Sequence, residues 1–165
     1  MKIAHFNKLP RPELHQELFK CCSSLSWVES LTKRRPYRDF SDLIEQAKDV
    51  WFNLPEKDWL EAFSGHPQIG NLSTLKEKYS STTNWASGEQ SSVEFASDKV
   101  LKDLKDLNDT YYRNFGFIFI VCATGKSASE MLDLLRLRIN NTREQEIKNA
   151  ADEQFKITKL RLEKL

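Results

Sequence analysis

Cysteine is scarce in this chain, and what there is does not suit a disulfide scaffold. Only Cys21, Cys22 and Cys122 occur among 165 residues, an odd number, and the adjacent pair is poorly placed to bridge itself. That usage fits the reducing cytoplasm. An excess of charge of one sign is missing too: 25 Lys and Arg stand against 24 Asp and Glu, for a formal net charge of +1. A balanced surface sets up no long-range field for a polyanion, so nucleic acid is not an expected partner. No apolar run is long enough to span a bilayer, and residues 1–10 lack the apolar core of a signal peptide. Neither a membrane partner nor a leader is expected. The ending Glu163-Lys164-Leu165 shares only its last two residues with a peroxisomal Ser-Lys-Leu address and is not read as one.

Familiar chemical motifs are also lacking. His5, His15 and His66 lie far apart, and there is no Cys-x-x-Cys or His-Glu-x-x-His pattern, so no metal site is expected. Gly125-Lys126-Ser127 looks like the end of a phosphate-binding loop, but that loop needs a glycine where Ile120 stands. Ser127 is better used as a helix cap.

What is present is helical periodicity. Residues 11–22 carry Pro12 in a first turn, with Leu14 and Leu18 on one face. The basic run Lys33, Arg34 and Arg35 reads as a solvated loop before Pro36. Ser41 is placed to cap a helix whose apolar positions are Leu43, Ile44, Ala47, Val50 and Trp51. Pro55 opens another, with Trp59, Leu60 and Phe63 inward and Gly65 at its C-terminus. Residues 71–92 are rich in Ser, Thr, Asn and Gly, too polar for core and too long for an idle connection, which suits a site-forming loop. Val93, Ala96, Val100, Leu104, Leu107 and Tyr111 then mark a long amphipathic helix. Residues 115–122 (FGFIFIVC) read as a buried strand or, for want of a partner strand, a buried extended segment. Ser127 with Glu130, and Thr142 with Gln145, form capping boxes ahead of two further helices, the last running to the C-terminus. With no repeat and no boundary in view, the fold expected is all-α: one helical bundle, a single domain over residues 1–165.

Three places carry candidate chemistry. His66, in Gly65-His66-Pro67, follows a helix end, and Pro67 pushes it out of helical geometry. A rigidly held imidazole there suits general acid–base work, although most loop histidines only decorate a turn. Glu89-Gln90 pairs a carboxylate with an amide, which matches the donors and acceptor of a ureido group; an exposed helix start is the plainer alternative. Arg161 shares a stripe of the last helix with Ile157, Gln154 and Ala150. Its guanidinium can grip a carboxylate or carbonyl in two-pronged fashion, or simply lie over apolar neighbours.

Together these pieces resemble the 2-oxo-4-hydroxy-4-carboxy-5-ureidoimidazoline (OHCU) decarboxylase family. The resemblance spans nearly the whole chain and rests on Gly65-His66-Pro67, Glu89-Gln90, Leu107-Asn108-x-x-Tyr111 leading into Phe115-Gly116-Phe117-x-Phe119, and Ile157-x-x-x-Arg161-Leu162. It implies an all-helical homodimer that uses neither metal nor organic cofactor and converts a small molecule, OHCU, to (S)-allantoin in urate degradation. It also implies that His66 is the catalytic histidine, Glu89 its partner carboxylate and Arg161 the substrate-binding arginine. Pro67, Ala86, Ser87, Gly88, Gln90 and the backbone of Phe119, Ile120, Val121, Cys122 and Ala123 match positions that line the family's substrate pocket. Many relatives carry serine where this chain has Ala86, with Ser87 one step later; many also have proline at Ile118 and an acidic residue at Gln68. Two other readings stay open: a non-catalytic helical interaction module, and an enzyme for another carboxylated ureido compound.

Overall fold

The computed structural model describes residues 1–67 and 98–165. The polar stretch at 71–92, the candidates Ala86, Ser87, Gly88, Glu89 and Gln90, and the helix positions Val93 and Ala96 lie outside the described residues. Among the described residues there are helices and no strand, so the all-α class holds. The helices are α1 (Ile3–Lys8), α2 (Arg11–Cys21), α3 (Leu25–Lys33), α4 (Phe40–Phe52), α5 (Glu56–Ser64), α6 (Asp98–Phe115), α7 (Ala128–Arg138) and α8 (Arg143–Leu162).

Contacts group the chain into two compact units. The first comprises Met1–His66, Ile120–Cys122 and Ile147–Leu165. Its centre is α3, which packs on α2, α4 and α5. Ser24 starts α3 by accepting a hydrogen bond from the Trp27 amide at 3.3 Å, and Trp27, Val28 and Leu31 then turn inward. Each tryptophan of this unit finds an acceptor for its indole N–H. Trp27 donates to Ala47 O (3.0 Å), Trp51 to Ala151 O (2.9 Å) and Trp59 to Trp51 O (2.9 Å). Leaving the buried donor of Trp27 or Trp51 unpaired would cost about 1–3 kcal/mol. The basic run is not simply solvated: Lys33 ends α3, Arg34 reaches Gln46 and Asp49, and Arg35 donates to the carbonyls of Asn7 and Leu9. The cap of α4 is Asp39, whose carboxylate accepts from the Asp42 amide at 2.8 Å; Ser41, expected there, is already the second residue of the helix.

Gly65 closes α5 with φ −74°, an ordinary right-handed value, so a left-handed C-cap is not what calls for glycine. Close approach is. A Cβ at position 65 would stand 2.6 Å from both Cβ and Oγ of Ser23. Gly65→Ala is expected to destabilise the protein by about 1–3 kcal/mol through overpacking. Thermal unfolding checks this, and adding Ser23→Gly should recover most of the loss.

The second unit comprises Pro67–Phe119 and Ala123–Glu146. Within it α6 packs on α7, burying Leu101, Leu104, Tyr111, Met131, Leu132 and Leu135. Gly125, at φ +75°, occupies a turn in which Lys126 N–H donates to Ala123 O (3.0 Å). Ser127 then caps α7 by accepting from the Glu130 amide at 3.1 Å. The second capping box is complete: Thr142 Oγ1 accepts from Gln145 N–H at 3.2 Å, and Gln145 Oε1 accepts from Thr142 N–H at 2.9 Å. Glu146, with no exposed surface, accepts from Tyr111 O–H (2.6 Å), Arg138 Nε (2.7 Å) and Asn141 Nδ2 (2.9 Å).

Candidate functional site

His66 sits one residue past the Gly65 cap, its amide donating to Phe63 O at 3.1 Å. The α5 terminus thus aims the ring, and Pro67 keeps the helix from continuing. The imidazole is half-buried and meets α8 through Nε2, 2.5 Å from Gln154 Oε1. Gln154 is 1% exposed, and its own Nε2 donates to Thr158 Oγ1 at 3.2 Å. The Thr158 hydroxyl in turn donates to the Gln154 carbonyl at 3.0 Å. Burial holds the His66 pKa below the ordinary 6.5; the bond to Gln154 works the other way, and the Arg161 guanidinium lowers it further.

Arg161 lies one turn beyond Ile157 on α8 and is half-buried. Its Nη1 approaches Lys20 O and Cys21 O, each at 3.4 Å, at the C-terminal end of α2. A cation is well placed against those terminal carbonyls. Held by one nitrogen, a guanidinium retains further N–H donors in its planar fork for a ligand. His66, held to Gln154, and Arg161, two turns further along the same helix, therefore lie in one neighbourhood of the first unit, where burial first and the guanidinium last lower the imidazole pKa.

The cysteines of this neighbourhood are not nucleophiles. Burial pushes the Cys22 thiol up to about 12, although the Ser24 backbone and the Thr158 side chain beside it would favour the thiolate. Cys21 is pushed up to about 11, chiefly by burial. Since a thiol attacks as thiolate, both stay inert near neutral pH.

Residues 116–122, which follow α6, form an irregular segment without strand pairing, which settles the choice between strand and extended run. Ile120 and Cys122 are buried in the first unit, and the Cys122 amide donates to Glu153 Oε1 of α8 at 3.4 Å. Of the backbone groups singled out in the sequence, this N–H is therefore already engaged by a carboxylate. Phe119 belongs to the second unit, where the Arg138 guanidinium lies 4.6 Å from its ring centre and Tyr111 meets it edge-on. In that unit a hollow of about 420 Å³ is bordered by Asp106, Asp109, Arg113, Ile118 and Phe119. Pro67 is exposed. Among the described residues no three His, Cys, Asp or Glu side chains are grouped as a metal site, and no helix is long and apolar enough to cross a membrane.

Sequence reasoning gave no role to Gln154, Thr158 or Glu153. The available signal was a pair of polar residues four apart, Gln154 and Thr158, on the stripe that also carries Ala150 and Arg161.

Comparisons with known proteins point the same way. The OHCU decarboxylase pattern matches residues 7–163. The uric acid degradation bifunctional protein TTL of Arabidopsis thaliana is 38% identical over 146 residues, 88% of this chain and 45% of that protein. The 2-oxo-4-hydroxy-4-carboxy-5-ureidoimidazoline decarboxylase of Haloferax volcanii is 25% identical over 82% of this chain and 79% of its own length. A crystal structure of OHCU decarboxylase in the presence of (S)-allantoin superposes with a TM-score of 0.72 at 38% identity, covering 90% of this chain and 95% of that one. The chain spans less than half the length of the Arabidopsis relative.

Proposed function

This chain belongs to the OHCU decarboxylase family, and from that premise we propose that it is a lyase that removes CO2 from OHCU and releases (S)-allantoin. The observation that carries the reading is the half-buried His66 ring held against Gln154 of α8, with half-buried Arg161 two turns further along the same helix. Such a pair supplies a proton carrier beside an anion-binding fork.

The chemistry needs no external electron sink. As the bond from C4 to its carboxylate breaks, the electron pair forms a C4–C5 double bond and displaces the imine pair onto the ring nitrogen, which takes a proton from water. The enol that results must lose its hydroxyl proton at C4 and gain a proton at the ureido-bearing C5. His66, neutral because its pKa is depressed, accepts the first and delivers the second to one face, which sets the (S) configuration. Arg161 holds the ring carbonyl or the leaving carboxylate and offsets developing negative charge. Glu89 and Gln90 are assigned to the ureido group on their donor and acceptor types. The same reading takes residues 1–165 as a single domain, pairs the enzyme as a homodimer by analogy with the family, and places it in the cytoplasm on its sparse cysteine usage, an odd count of three.

The test generates the unstable substrate in a cuvette from urate with urate oxidase and hydroxyisourate hydrolase, and follows circular dichroism after the protein is added. Rapid growth of an (S)-allantoin signal is expected; racemic product at the spontaneous rate would sink the proposal. In the same assay Arg161→Lys, which keeps the charge but loses the fork, should raise KM about 10- to 100-fold, with kcat less affected.

A further inference from the structure

His66 approaches Gln154 through Nε2. Which of the two carries the intervening hydrogen follows from the far end of the carboxamide. The Thr158 hydroxyl has a single hydrogen, which it donates to the Gln154 backbone carbonyl, a group that only accepts. The Thr158 oxygen is left to accept, so the NH2 end of Gln154 faces it, at 3.2 Å. The carboxamide oxygen is thereby turned toward His66, and an amide oxygen cannot donate. The hydrogen belongs to the imidazole. Gln154 and Thr158 are each 1% exposed, so water does not stand in for either bond, and reversing the carboxamide would cost about 1–3 kcal/mol per buried group left unpaired.

We infer that Gln154, oriented by Thr158, is a positioning residue that holds neutral His66 as the Nε2–H tautomer, making Nδ1 the atom that takes and returns the proton. The inference rests on the reading of His66 as the proton carrier. In that step the Nδ1 lone pair accepts the C4 hydroxyl proton as the carbonyl forms, and the new N–H bond then breaks as the same proton bonds to C5. Nε2 keeps its hydrogen throughout, so the imidazolium that forms between the two transfers stays hydrogen-bonded to Gln154. The charged group facing His66 from α8 is Arg161, which opposes that imidazolium and so favours prompt return of the proton. Cys22, beside Thr158, stays a neutral thiol whose S–H can donate to the Thr158 oxygen, so it makes no claim on the Thr158 hydrogen.

The test is long-range proton–nitrogen NMR on the full-length, 15N-labelled protein, above the ordinary histidine pKa of about 6.5, with His66 assigned by the signal lost in His66→Ala. Wild type should show His66 protonated at Nε2 and bare at Nδ1. Gln154→Leu should scramble the tautomers and lower kcat about 10- to 100-fold at little change in KM, as loss of a ring-orienting partner does. Thr158→Val, which keeps the helix and the shape, should scramble the tautomers partly and serves if Gln154→Leu does not fold. A wild-type Nδ1–H tautomer, or an unchanged Nε2–H tautomer in both variants, would overturn the inference. Scrambled tautomers with undiminished (S)-allantoin formation would instead overturn the role of His66 and leave the hydrogen-bond relay standing.

Discussion

Replacing His66 with alanine is expected to slow enzyme-driven (S)-allantoin formation by about 10²–10⁴-fold, the usual contribution of a positioned proton-transfer group. Because the uncatalysed reaction proceeds by itself, the variant's product should drift toward the racemate, which makes the optical signal a more sensitive readout than substrate loss. The wild-type pH profile follows from the depressed His66 pKa. Its neutral form persists below pH 6.5, so kcat/KM should hold as pH falls past that value and drop only at the lower, folded-state pKa. Stability runs in parallel. The unfolded chain binds the His66 proton more tightly than the folded one, so its contribution is present above about pH 6.5 and is lost as pH falls through the folded-state value. A kcat/KM acid limb centred above pH 6.5 would assign the titration to another group.

The largest loss of stability is expected in the second unit, at Glu146. Its carboxylate has no exposed surface and accepts from Tyr111, Arg138 and Asn141 at 2.6–2.9 Å. Glu146→Ala leaves the Arg138 guanidinium, with a side chain only 12% exposed, without that counter-charge, and opens a cavity. Removing one partner of a buried ion pair costs about 3–5 kcal/mol, or roughly a 10 °C fall in Tm for a chain of this size. Glu146→Gln keeps the shape and one acceptor oxygen and should lose less. Differential scanning calorimetry on the three proteins checks the ranking; equal losses for Ala and Gln would mean that charge, not packing and acceptor count, governs the site. Tyr111 reports on the same network: burial first, then the hydrogen bond to Glu146, push its phenol well above the usual range.

Much of the fold was legible because local rules fixed it. Thr142 and Gln145 satisfy each other's amides within one turn, so their sequence spacing alone predicts the start of α8. Ser41 misled because two side chains, at 39 and 41, each stand three residues before a helical amide, and only the entry of Phe40 into the helix chooses Asp39. Helix α3 carried a legible signal, Ser24 ahead of Trp27, Val28 and Leu31, in a stretch read only for its basic end. The aromatic run at 115–122 defeated propensity, since a strand needs a neighbour and this segment's Cys122 amide is met by the Glu153 side chain instead. His66 and Arg161 were legible by residue type and setting. Gln154 was legible only as a polar residue on the Arg161 stripe; its role comes from a contact 88 residues away in sequence, which the spacing to Thr158 does not identify.

The buried indoles have a consequence for how unfolding is watched. Trp27, Trp51 and Trp59 all belong to the first unit, while the fourth tryptophan, Trp85, lies outside the described residues. Among the described residues the second unit carries none. In a Trp85→Phe background intrinsic fluorescence is thus a selective lamp: the three hydrogen-bonded indoles will shift their emission to the red when α3, α4 and α5 come apart. Far-UV circular dichroism sums helix from both units. Melting the Glu146 variants with both probes at once therefore asks whether damage at α6 and α7 reaches the helices that hold His66. Coincident curves would mark one cooperative transition, and a helical signal that falls before the emission moves would mark two.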